Sequence, residues 1–227
     1  MKLFYSPIHG FIHKTLVVAH EAGLIDQIER VPTWPLRADN NIAAVNPLNK
    51  VPTLALDNGT ALYGSQVICE YLDSFNTRAP LFPPHGAARW DALRRLSLAD
   101  QSFEINIQIT LNRTPEGRPT FDWAWPKLMA AFDQMERDAA DYAGFDVGHA
   151  GNLQTLSYFD RAARQGYEAF EILETYDWKA TRPTLAAWYD GAIQRPSVQW
   201  HYLKDYEGDV SAENLRAAIA AVVEARG

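Results

Sequence analysis

Residues 51–72 read VPTLALDNGTALYGSQVICEYL, and the fold is decided here. Val-Pro-Thr-Leu leads into a short apolar strand, Asp57-Asn58-Gly59 turns it, and a second short run ends at Tyr63. An Asn-Gly pair between apolar runs signals a hairpin, because Gly accepts positive φ and Asn tolerates it. Ser65 then opens a helix whose apolar positions are Val67, Ile68, Tyr71 and Leu72. Pro52 has no N–H to give a ladder, which suits the start of a strand better than its middle.

Working outward, residues 2–5 predict a strand that Ser6-Pro7-Ile8-His9-Gly10 breaks. A helix follows from Gly10 or Phe11 to Glu21, with Gly23 as its stop. Residues 28–31 supply a second strand, so a β-α-β unit precedes residue 35. Downstream, residues 76–86 read NTRAPLFPPHG, a proline-rich connection rather than a helix. The expected organisation is an α/β domain over residues 1–75 with a four-stranded mixed sheet, a linker over 76–86, and an all-helical domain over 87–227.

Within the second domain, helices are expected at 87–111 and 121–142, with Pro126 in the first turn of the latter. Residues 145–156 read as a glycine-bearing loop. Ser157-Tyr158-Phe159-Asp160 then has the spacing of an N-terminal capping box. A final Ala-rich helix is expected at 211–226 with Ser211 as cap.

The 227 residues carry a formal net charge of -7 and 47% hydrophobic residues. That length buries a real core, and the acidity argues against a general nucleic-acid surface. The N-terminus has no apolar secretory core and no run of eighteen apolar residues occurs, so a soluble, cytoplasmic protein off the membrane is expected. The lone Cys69 excludes an intramolecular disulfide and reads as a buried structural thiol. His9 and His13 lie four apart without the acidic neighbour or Cys cluster of a metal site, and His85, His149 and His201 fall in apparent loops or edges. No metal is expected.

NPLNKVPTL, the hairpin, and Ser65 at the head of the next helix resemble the soluble glutathione transferases, in their bacterial members. The likeness extends over nearly the whole chain, most clearly over 46–72 and 155–198. It implies a thioredoxin-like first domain and glutathione as co-substrate. Pro52 would be cis, Val51 would pair through its backbone with the cysteinyl part of glutathione, and Ser65 would hold the γ-glutamyl carboxylate. Helix N-termini suit such an anion. Lys50 is either a solvated turn residue or a contact to the glycyl carboxylate. The family places Glu or Gln before this Ser; here stands Gly64, with Gln66 following. Asp160 and Trp178 match a family pair with a folding role. A homodimer is also implied.

Attack by glutathione needs a thiolate, and a free thiol has a pKa near ~8.5. A hydrogen bond, positive charge or backbone donors at the start of the first helix must lower it. His9 and Ser6 are the candidate catalytic residues, with Tyr5 third; His9 occupies the family's serine position and Lys14 its basic one. The second substrate is expected to be a hydrophobic electrophile, with Phe11, Trp34, Phe103, Asn106, Ile107 and Thr110 as walls. Because Gly64 and His9 both depart from the family pattern, a noncatalytic binding or structural protein stands as the alternative.

Overall fold

A computed structural model describes residues 1–6, 10–33, 35, 40, 42–112, 115–164 and 175–199. Two compact units divide the chain, Met1–Pro80 with the stretch from Pro196, and Leu81–Arg195. The first is α/β and the second, among the described residues, is helical.

In the first unit, β1 (Lys2–Tyr5) leads through α1 (Phe11–Glu21) to β2 (Glu29–Pro32), and β3 (Thr53–Ala55) turns into β4 (Ala61–Tyr63) before α2 (Ser65–Asp73). The sheet order is β2-β1-β3-β4. β1 runs parallel to β2 and antiparallel to β3, and β3 and β4 form the hairpin. The sheet is therefore mixed, as expected. Leu16, Val17, Val18 and Ala19 make α1 a buried helix, and Ile68, Cys69 and Leu72 give α2 its buried stripe. Cys69 is fully buried, with its Sγ 3.8 Å from Thr15 Oγ1. At Pro196 the chain is back in this unit, where the Ser197 hydroxyl donates to Glu21 at 2.6 Å.

The second unit is built from α3 (Gly86–Leu111), α4 (Arg118–Ala139), α5 (Val147–Arg164), the single turn α6 (Trp178–Thr181) and α7 (Pro183–Ala192). α3 buries Ala92, Leu96, Ala99 and Phe103, a stripe at helical spacing. α5 lies against that stripe closely enough that a Cβ on Gly148 would meet Arg95 Cβ at 2.7 Å and the Ala92 carbonyl oxygen at 3.0 Å. Thr155 Oγ1 donates to the Ala99 carbonyl at 2.8 Å in the same seam. An aromatic cluster fills the rest, with Phe132 edge-on to both Phe159 and Trp178.

Four expectations for this unit are corrected. Residues 147–156 belong to α5, not to a loop, because the glycines serve close helix packing rather than a turn. Ser157 and Asp160 are consequently mid-helix and form no capping box. The reciprocal cap is made by Asp146, whose Oδ1 accepts the His149 N–H at 3.1 Å, while His149 Nδ1 accepts the Asp146 N–H at 3.0 Å. His149 is thus a buried helix residue rather than a loop one, 1% exposed and enclosed by the rings of Tyr142, Phe145 and Trp188. Pro126 sits inside α4 rather than in its first turn, and Lys127 Nζ donates to the Trp123 carbonyl beside it. The expected pairing of Asp160 with Trp178 is present, the indole N–H donating to Oδ1 at 2.7 Å. The Ala-rich segment at 211–226, with Ser211, lies outside the described residues, as does His201.

Candidate functional site

The sheet register brings three of the sequence candidates to one edge. Phe4 is paired with Thr53, and Thr53 with Tyr63. Two residues past these pairs, at the same end of the sheet, stand Ser6 after β1, Val51 before β3 and Ser65 after β4, in the order of the strands. Ser6 follows β1 directly and is 2% exposed, Val51 is 9% exposed, and Ser65 opens α2 at 8% exposed. This row stands just beyond the last ladder pairs, so its backbone groups are not consumed by the sheet.

Val51 is the middle of that row, and the Val51–Pro52 bond is cis. Among the described residues its N–H and C=O have no hydrogen-bond partner. Its side chain packs with Phe4 and Ile42, which ties the segment to the core. The preceding turn is fixed by side chains. Asn46 Oδ1 accepts the Leu48 N–H at 2.9 Å, Asn46 Nδ2 reaches the Lys50 carbonyl at 3.0 Å, and Asn49 Nδ2 donates to the Pro35 carbonyl at 2.9 Å. Lys50 itself is exposed.

Gly64 precedes Ser65 at φ 81°, ψ 131°, and its carbonyl accepts the Ile68 N–H at 3.1 Å, starting α2. The first N–H groups of the helix have no intrahelical acceptor, so this end carries partial positive charge. Ser65 Oγ adds a hydroxyl there, while Gln66 and Gly64 are exposed. Chemically the row offers a strand-like donor and acceptor at Val51, and an anion-favouring helix end one strand away.

On the β1 side, the Tyr5 carbonyl accepts the Thr33 N–H at 2.6 Å and Tyr5 is 6% exposed. His9 and Trp34 lie outside the described residues. Phe11 begins α1 half-buried, and Lys14 is fully buried with its Nζ 5.4 Å from the Phe11 ring centre. On α3, Phe103, Asn106 and Thr110 are buried and Ile107 is half-buried. Phe103 stacks edge-on with Tyr158 within the helical unit, and Thr110 Oγ1 donates to the Asn106 carbonyl. Sequence reasoning assigned no role to Asn46 and Thr53, which are 1% and 0% exposed; the sequence shows two short polar residues flanking Lys50 and Val51, and only the structure shows them buried. Among the described residues, no group of three or more His, Cys, Asp or Glu is arranged to hold a metal ion. No helix among them is long and apolar enough to cross a membrane.

Known proteins resemble this chain in sequence and fold. The family described as glutathione S-transferase, N-terminal domain, matches residues 10–74. A glutathione transferase family member from Pseudomonas fluorescens Pf-5, crystallised with bound glutathione, is 31% identical at a TM-score of 0.74, covering 88% of this chain and 97% of that one. A glutathione S-transferase from Methylobacillus flagellatus KT with glutathione bound is 26% identical at a TM-score of 0.77, covering 88% and 98%. The uncharacterised GST-like protein YibF of Escherichia coli K12 is 27% identical over 202 residues, 87% of this chain and 96% of that protein. With sheet order, helical second unit and full-length likeness in agreement, the chain belongs to the glutathione S-transferase superfamily.

Proposed function

We propose that the chain binds glutathione along the Ser6–Val51–Ser65 row and activates its thiol for attack on a hydrophobic electrophile. The single observation that carries this reading is the N–H and C=O of Val51, without a partner among the described residues, at the same end of the sheet as Ser65 at a helix N-terminus. Two relatives of similar length were crystallised with glutathione, which supports it. The cysteinyl backbone pairs with Val51 and the γ-glutamyl carboxylate takes the α2 N-terminus and Ser65. Lys50 meets the glycyl carboxylate, and Gln66 lies beside the γ-glutamyl group.

Ser6 or His9 donates to the sulfur and stabilises the thiolate. The sulfur lone pair then forms a C–S bond while the bond to the leaving group breaks and that group departs with the bonding pair. Proximity and thiolate stabilisation are the protein's contributions. A homodimer fits the exposed apolar residues of α2 and the turn that follows it, where Val67 and Phe75 are 52% and 49% exposed, and sedimentation across a concentration range tests it.

The deciding experiment is a pH titration of thiolate absorbance near ~240 nm with glutathione bound, for the protein, Ser6→Ala and His9→Ala. A bound thiol pKa well below the free value of ~8.5, returned toward it by one substitution, identifies the activating donor. A second reading, glutathione binding without catalysis, is favoured by Gly64, which presents no side chain to the ligand. Saturable binding with an unshifted thiol pKa would select it.

A further inference from the structure

Two buried polar side chains close around a single carbonyl beside the proposed ligand edge. Asn46 Nδ2 donates to the Lys50 C=O at 3.0 Å and to Thr53 Oγ1 at 2.9 Å. The Thr53 hydroxyl donates in turn to the same Lys50 C=O at 2.8 Å. Asn46 Oδ1 accepts the Leu48 N–H at 2.9 Å, which fixes the amide's orientation, so both Nδ2 hydrogens point at this set. Every donor has an acceptor, and the hydroxyl can point only one way.

The Lys50 carbonyl is one end of a peptide plane whose other end is the Val51 N–H. The chain's described cis bond is the next one, so the Lys50–Val51 unit is trans and planar. In such a unit the N–H points opposite to the C=O. Two donors that fix the carbonyl therefore fix the direction of the N–H. That N–H has no partner among the described residues, whereas Thr53, two positions on, is already in the ladder.

We propose that Asn46 and Thr53 are positioning residues that orient the Val51 N–H toward the cysteinyl carbonyl of glutathione; the proposal rests on the glutathione reading above. A turn-forming role for Asn46 needs only the Oδ1 bond to Leu48. The Nδ2 bonds to Lys50 and Thr53 go beyond what a turn requires. Held in advance, the donor does not have to be ordered when the ligand arrives, and preorganisation of this kind tightens binding.

The test uses the full chain, labelled with ¹⁵N-valine, and compares Thr53→Val, Thr53→Ser and Asn46→Asp by calorimetric titration with glutathione and by NMR. Thr53→Val keeps the shape and removes the hydroxyl. It is expected to raise the glutathione Kd about tenfold and to move the Val51 amide resonance in the free protein, while Thr53→Ser restores both. Asn46→Asp keeps the acceptor for Leu48 N–H but loses the donors, so it weakens binding as Thr53→Val does; a turn role alone predicts wild-type affinity for it. Thr53→Val with unchanged affinity, or with an unmoved Val51 resonance, overturns the proposal. Absence of saturable glutathione binding by the unsubstituted chain overturns the functional reading instead.

Discussion

Gly64 holds φ at 81°, a backbone conformation that side chains of L-residues rarely adopt, although a Cβ placed there meets nothing within 4 Å. The obstacle to another residue is thus backbone strain and not space. The glycine avoids that strain and places no side chain next to Ser65. Gly64→Gln should therefore lower the stability of the chain by about 1–3 kcal/mol in urea unfolding. Under the glutathione reading the same variant binds glutathione more tightly, since the amide regains reach to the γ-glutamyl amine. An unchanged urea midpoint would show that the backbone at 64 is not strained by a side chain. An unchanged affinity would show that the amide makes no contact.

At the scale of the element, α5 turns on glycines used for approach rather than for bending. Gly148 is buried and abuts Ala92 and Arg95 of α3, and a Cβ on Gly151 would stand 2.9 Å from Ala99 Cβ. Helix propensity alone favours Gly148→Ala by about 1 kcal/mol. The Ala92 carbonyl oxygen at 3.0 Å belongs to a helix backbone and cannot yield as a side chain would. Overpacking of this kind costs about 1–3 kcal/mol, so the net expectation is destabilisation. Thermal unfolding of Gly148→Ala checks the sign, and a raised Tm would mean that α3 and α5 are not packed as closely as described. The same glycines explain what the sequence did and did not disclose. The hairpin and α2 were legible because Asn58-Gly59 and the apolar spacing after Ser65 are local signals. The start of α5 was not, because a glycine that breaks a helix and one that admits a neighbouring helix look alike until the neighbour is known. The cap was misplaced with it, since Asp146 with His149 is a less familiar pairing than Ser157 with Asp160. The placement of Ser6, Val51 and Ser65 was partly legible: each residue is a sequence candidate, but their meeting at one end of the sheet depends on strand order, which joins segments far apart in the chain.

For the molecule as a whole, a formal charge of -7 leaves acid stability to those carboxylates whose folded environment differs most from water. Asp146 is the clearest case. Burial pushes its carboxyl up, but hydrogen bonding from His149 and the charge of the Arg95 guanidinium outweigh burial and bring it from 3.8 down to about 2. Arg95 is also paired with Asp91, so one guanidinium ties α3 to the cap of α5. A carboxylate with a depressed folded pKa adds stability that is fully present above its unfolded pKa. That stability is lost as the pH falls from about 4 toward about 2, and amounts to about 2 kcal/mol. Asp91 and Glu136 are also held below the usual carboxylate range, so acid unfolding of the native chain alone would mix several groups. Comparison with Asp146→Asn separates them. In urea unfolding at pH 6 the variant should be less stable, and the gap between the two proteins should close by about 2 kcal/mol as the pH is lowered through this window. A gap that stays constant with pH would mean that the cap stabilises α5 through hydrogen bonds alone, with the charge of Asp146 contributing nothing to the fold.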